Sequence, residues 1–174
     1  VFHSGELDFS NTTLLAGELN FKNSVFGQGK KNFQNFICKG NALFQNVEFH
    51  DGDVSFIDTR FEKSRISFKI AHFGQGKIDF HFSKFNNCQL SFEQTEFGEG
   101  KFDYRKTEFI ASKVNFNRSS FGKGEKSFEA CLFRDGKLTF KKTNWGEGNI
   151  SFELGEFYNN PLILDSSIFG KGEL

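Results

Sequence analysis

A large aromatic side chain returns at every twelfth position through most of this chain. Phe49, Phe61, Phe73, Phe85, Phe97, Phe109, Phe121, Phe133, Phe157 and Phe169 keep the step, and Trp145 fills the remaining slot. Seven positions after each anchor stands a second large side chain: Phe56, Phe68, Phe80, Phe92, Tyr104, Phe116, Phe128, Phe140, Phe152 and Leu164. Self-similarity at a fixed period is the mark of a stacked repeat architecture. With the anchor as position 1, position 6 is usually aliphatic (Val54, Ile66, Ile78, Leu90, Val114, Leu138, Ile150) and position 11 small or β-branched (Thr59, Ala71, Ser83, Thr95, Thr107, Ser119, Cys131). Positions 6 and 8, and positions 11 and 1, alternate with period two, the strand signature. Gly, Asn, Asp and Ser at positions 2 to 4 are turn chemistry. Each unit therefore reads as two short strands and a corner, and the chain as all-β.

A coil made of one such unit would be too narrow for two Phe rings and an aliphatic side chain, because interiors pack near crystal density. Corner chemistry agrees with a doubled coil. Every second corner carries Gly at position 4 (Gly5, Gly29, Gly52, Gly76, Gly100, Gly124, Gly148, Gly172), while the intervening corners hold a looser set: Gly17, Gly40, Ser64, Cys88, Ser112, Gly136 and Asn160. Residues two units apart also carry complementary charge, as in Glu99, Lys123, Glu147 and Lys171, or Lys101 and Glu125. The expected architecture is one solenoid domain over residues 1–174 with about seven coils of two units each, and an irregular unit near residues 33–37. The absence of Met leads us to expect a piece of a longer chain. The open rung at each end (Phe2, Leu174) leaves three readings: flanking segments that cover it, molecules stacked end to end, or open ends that are tolerated.

Segments such as Thr59-Arg60-Phe61-Glu62-Lys63, Ile66-Ser67-Phe68-Lys69-Ile70 and Ala71-His72-Phe73-Gly74-Gln75 resemble pentapeptide repeats, with a small residue two places before a central Phe. The unit is similar to a Phe-rich variant of that family, in which two pentapeptides and two extra residues make twelve. The resemblance implies a right-handed, four-sided parallel β-helix. It departs from the family in needing a coil of two twelve-residue units, where four pentapeptides are usual. Some members of the family mimic DNA and bind type II topoisomerases, which makes that the alternative function. It requires an acidic surface, and this chain has 22 basic and 22 acidic residues. Ice-binding and glycan-active solenoids form a third class, but the repeated Thr and Ser of position 11 point inward.

Equal charge leaves no field to favour nucleic acid, and no apolar run approaches the ~18 residues of a membrane span. The Gly-x-Gly corners lack the helix and spacing of a phosphate loop, and read as tight turns needing Gly for positive φ. His3, His50, His72 and His81 are spread over different rungs, with no two placed to share a metal. Cys131 reads as packing and Cys88, at a corner beside Asn86 and Asn87, as exposed. No cofactor is implied and no nucleophile has a base within reach. The leading expectation is a non-catalytic structural or protein-interaction scaffold, open to self-association as a dimer or by end-to-end stacking. Its expected partner-binding strip is Ile57, Phe82, Leu132 and Leu154, on the face after the Gly corners.

Overall fold

The computed structural model describes residues 5–173, so Phe2, His3 and Leu174 lie outside the described residues. One rung shows how all are built. Val54–Ser55, Arg60–Glu62 and Arg65–Ser67 are short strands, and His72 is a single bridge residue. Each pairs in parallel with its counterpart at i + 24: Val54 with Ile78, Phe61 with Phe85, Ile66 with Leu90 and His72 with Glu96. Three seven-stranded parallel sheets and one ladder of bridges result, which give the coil four sides. The first sheet contains Val54–Ser55, the second Arg60–Glu62 and the third Arg65–Ser67. The fold is an all-β parallel solenoid of about 7 turns of ~24 residues.

One rung is a residue short. Thr13 pairs with Ile37 at i + 24, but Glu18 pairs with Asn41 and Cys38 with Phe61, each at i + 23. The full step returns at Ala42 and Ile66, so the lost residue belongs to the corner at Lys39 and Gly40. Cys38, rather than Ile37, therefore fills the anchor slot beneath Phe61.

The interior is four columns of stacked rings. Phe44, Phe68, Phe92, Phe116 and Phe140 follow one another at centroid spacings of 4.8, 4.8, 4.8 and 4.7 Å. Phe33, Phe56, Phe80 and Tyr104 do so at 4.6, 4.7 and 4.5 Å. Phe61, Phe85, Phe109 and Phe133 make a third column at 5.0, 5.0 and 4.9 Å. The fourth runs through Phe49, Phe73, Phe97, Phe121 and Trp145. Ring stacking is thus commensurate with the ~4.8 Å strand spacing, so backbone ladder and core repeat together. The first two columns meet edge to face, as in Phe56 and Phe68 at 85°, a geometry that ring quadrupoles favour. The other two lean against them at a tilt, as in Phe68 and Phe73 at 43° and Phe56 and Phe61 at 46°.

The small inward residues have a polar task. Thr59, Thr95, Thr107 and Thr143 donate their hydroxyls to the carbonyls of Phe33, Phe68, Phe80 and Phe116, one rung below and at a neighbouring turn, at 2.7–3.0 Å. A larger residue there would displace a ring, and an apolar one would leave that hydrogen bond unmade.

Corners are twice as frequent as the turn residues indicate. Position 10 holds a left-handed residue in unit after unit: Asn46, Asp58, Ile70, Phe82, Gln94, Lys106, Arg118, Ala130, Lys142 and Leu154 have φ between 51° and 61°. Among the corner glycines Gly52 and Gly148 do take positive φ, at 101° and 83°, but most answer a different need. Gly100 lies outside the left-handed region, and a Cβ on it would sit 1.9 Å from the carbonyl oxygen of Gly76 in the rung below. Close approach of stacked backbones, not positive φ, excludes a side chain there.

Candidate functional site

Ile57, Phe82 and Leu154 lie on one edge of the rod, the turn joining the first sheet to the second. Phe82 is 47% and Leu154 73% exposed, whereas Ile57 is half-buried. Phe82 and Leu154 share a column three rungs apart, about 14 Å, with Lys106 and Ala130 between them. The Lys106 ammonium stands 5.4 Å over the Phe82 ring. Leu132 opens the strand Leu132–Arg134 on the second sheet, half-buried between Glu108 and Glu156 in register. The four residues thus form a broken apolar edge crossed by charge rather than a continuous patch. Exposed Leu15, Ile70, Tyr158 and Ile168 were not anticipated; Ile70 shares the turn position and would have been found by following that position from unit to unit.

On the first sheet, just before this edge, sits a dense cluster of charged side chains. Lys77 Nζ lies 2.5 Å from Asp79 Oδ2 and 3.1 Å from Asp103 Oδ2. Arg105 grips Asp103 with Nε at 3.0 Å and Nη2 at 2.7 Å, and His81 Nδ1 is 2.6 Å from Asp79 Oδ1. Although these residues point outward, Asp103 is fully buried under its neighbours. That burial pushes its carboxyl up, but Arg105 and Lys77 outweigh it and hold the group down at about 2. Asp79, His81 and Asp103 are close enough together to ligate an ion. Lysine and arginine already occupy the carboxylates, however, so the group is a closed ion-pair network.

Two interior lysines escaped the sequence pattern. Lys31 and Lys126 occupy the aliphatic slot of the first sheet's column, each 2% exposed. Lys31 Nζ donates to the carbonyls of Phe49 at 2.5 Å and Asp51 at 3.0 Å. Lys126 Nζ donates to Gly122 and Glu147. Burial drives both ammoniums down to about 8, against the raising pull of nearby carboxylates. They tie down the carbonyls that the tight glycine corners turn inward.

Cys88, expected at the surface, is 2% exposed. Its sulfur lies 3.3 Å from the Phe61 carbonyl, in the slot that Ser64 and Ser112 fill in adjacent rungs. Burial pushes its thiol up to about 11 and that of Cys131 to about 12, which makes both poor nucleophiles. The predicted charge ladder is present in part. Lys101 and Glu125 pair at 2.9 Å, while Glu99 accepts from the backbone N–H of Lys123.

No protein-family model and no curated protein matches this chain. Among solved structures it is similar to HetL, a pentapeptide repeat protein involved in heterocyst differentiation regulation from the cyanobacterium Nostoc sp. strain PCC 7120. The identity is 12% and the TM-score 0.19, over 94% of this chain and 90% of that one. So slight an overlap carries no argument by itself. Register and side-chain direction decide the matter. The architecture is pentapeptide-repeat-like. A small residue and a Phe two places later both face inward, as Thr59 and Phe61 do at 0% exposure. Aliphatic Val54 and Ile66 face inward as well, both buried.

Proposed function

We propose that this protein is a non-catalytic scaffold that presents the outer faces of its rod to protein partners, with Ile57, Phe82, Leu132 and Leu154 as the contact edge. One observation carries the reading: Phe82 and Leu154 are large, apolar, exposed and left-handed in φ all at once. A bulky side chain in that conformation costs roughly 1–2 kcal/mol, and exposure denies it the compensation of packing. Residues that serve neither backbone ease nor the core support a role in contact. The turn on the opposite side of the same coils carries Asn46, Gln94, Arg118 and Lys142 at the equivalent φ, and is polar there apart from the exposed Ile70.

A photo-crosslinking residue placed at 82 or 154, compared with one at 94 or 118, tests the assignment in cells. Discrete protein adducts from the first pair alone are expected; equal yields from both pairs would remove the edge from consideration. Parallel pairing is how one rung recruits the next, and we extend it to association between copies, as a dimer or an end-to-end stack. Sedimentation velocity over a wide concentration range would then show larger species, and an unchanging monomer would refute self-association.

A further inference from the structure

Three sides of the rod pair complementary polar groups between rungs. Lys101 meets Glu125 beside the first sheet and Lys84 meets Glu108 on the second, while on the bridge ladder the His72 ring lies within hydrogen-bond distance of Glu96. The third sheet keeps this habit on one side only. A shallow groove of ≈ 470 Å³ runs along its outer face. One wall pairs Lys69 with Glu93 at 3.1 Å, whereas the other carries Arg65, Lys113 and Lys137. Register sets Lys113 directly beside Lys137, and Arg65 beside Gln89. Like charges on adjacent strands are destabilising. Among the described residues, none of these three side chains has a carboxylate partner. Folding gains nothing from such a column.

The polar residues along the groove have a matching bias. The backbone N–H of Asn117 donates to Asn115 Oδ1 at 2.8 Å, and the N–H of Lys141 donates to Asn117 Oδ1 at 2.9 Å. Because a backbone N–H can only donate, it fixes each amide oxygen against the backbone and leaves the NH₂ group for the groove. The groove therefore offers donors and cations, and its complement is rich in carboxylates and carbonyls.

We propose that this groove binds an acidic segment of a protein partner, extended along the rod axis. Arg65 and Lys137 stand three rungs apart, about 14 Å at ~4.8 Å per rung. Carboxylates at i, i+2 and i+4 of an extended strand span about 13.6 Å on one side. Nucleic acid and acidic polysaccharide suit the groove less well. The chain has zero net charge to gather a long polyanion, and the exposed rings Phe82 and Tyr158 lie away from this sheet. The inference rests on the scaffold reading and names the chemistry of one partner surface.

Fluorescence anisotropy with a labelled peptide of alternating Glu and Thr, long enough to span the three rungs, tests it. Saturable binding is expected, weakened about tenfold in Lys113→Gln/Lys137→Gln and unchanged in Lys30→Gln beside the first sheet. The double variant should melt no lower than the parent, since it relieves a like-charge pair. Absence of saturable binding, or equal binding by the double variant, overturns the proposal. Tighter binding of a single-stranded oligonucleotide or of polygalacturonate, lost in the same variant, also overturns it in favour of that polyanion. If the peptide fails while crosslinks at 82 and 154 persist, the groove assignment falls and the scaffold reading stands.

Discussion

Truncating one ring in the middle of a column is the sharpest test of what holds this rod together. Phe92 is fully buried and stacked between Phe68 and Phe116 at 4.8 Å on each side. Phe92→Ala forfeits most of the ring's transfer free energy, about 2–3 kcal/mol. It also breaks two stacked pairs, at roughly 0.5–1.5 kcal/mol each. Collapse of the hole is resisted because ladder bonds hold the backbone on both sides: Phe68 donates to Ser91 and Phe92 to Asn115, each at 2.7 Å. The expected loss is about 4 kcal/mol, inside the range of ~3–5 kcal/mol for Phe→Ala changes in cores. Urea denaturation reads it as a fall in midpoint at unchanged slope. Phe82→Ala is the internal comparison, since that ring is exposed, and should cost less than ~0.5 kcal/mol. A loss under ~1 kcal/mol for Phe92→Ala, or equal losses for the two, would refute the stacked core.

Tyr104 stands in a column otherwise built of Phe, and among the described residues its buried hydroxyl has no hydrogen-bond partner. Tyr104→Phe should therefore stabilise by about 1 kcal/mol, seen as a higher urea midpoint. Ile70 is a β-branched residue at φ 58°, directly above Asn46, whose amide already donates to Asn23 Oδ1 at 3.0 Å. Ile70→Asn should extend that amide ladder and raise the melting temperature, by the equivalent of about 1 kcal/mol; a fall would mean the turn is not strained. Lys31 and Lys126 titrate near 8 in the folded chain against an ordinary value of 10.5. Between those values the unfolded chain binds more protons, so these two groups make stability rise with pH from about 8 to about 10.5. The Lys31→Met/Lys126→Met variant should lose that part of the slope; parallel pH profiles for parent and variant would contradict it.

The repeat was legible because the same ring returns where the same pocket returns. Phe49, Phe61 and Phe73 advertised the unit, and the alternating Gly corners its doubling into a coil in which Phe61, Phe85 and Phe109 stack. What stayed hidden follows from chemistry that does not look like its role. Lys31 and Lys126 look like surface residues until their stems are seen lying in the aliphatic column and their ammoniums capping corner carbonyls. Ile70, Phe82 and Leu154 gave no hint of a turn, because rung pairing rather than residue preference imposes their left-handed φ. Cys88 seemed exposed beside Asn86 and Asn87, yet the corner turns its thiol inward. The third-sheet groove was invisible in a net charge of zero, which sums over faces and conceals a basic wall on one of them. Of the four edge residues chosen from outward position alone, Phe82 and Leu154 are exposed, whereas Ile57 and Leu132 are half-buried among their neighbours.

Residues two units apart should be nearest neighbours on the surface, and a cross-link measures that directly. Lys84 and Glu108 are register partners on the second sheet, within the Cα separation of ~4.4–6.8 Å that a disulfide requires. Lys84→Cys/Glu108→Cys should close an intramolecular disulfide under mild oxidation, located by peptide mass mapping. Lys84→Cys/Glu96→Cys, a single unit apart in sequence but on different sides of the coil, should not close. Efficient closure of the second pair with failure of the first would replace the two-unit coil with a one-unit coil and contradict the account.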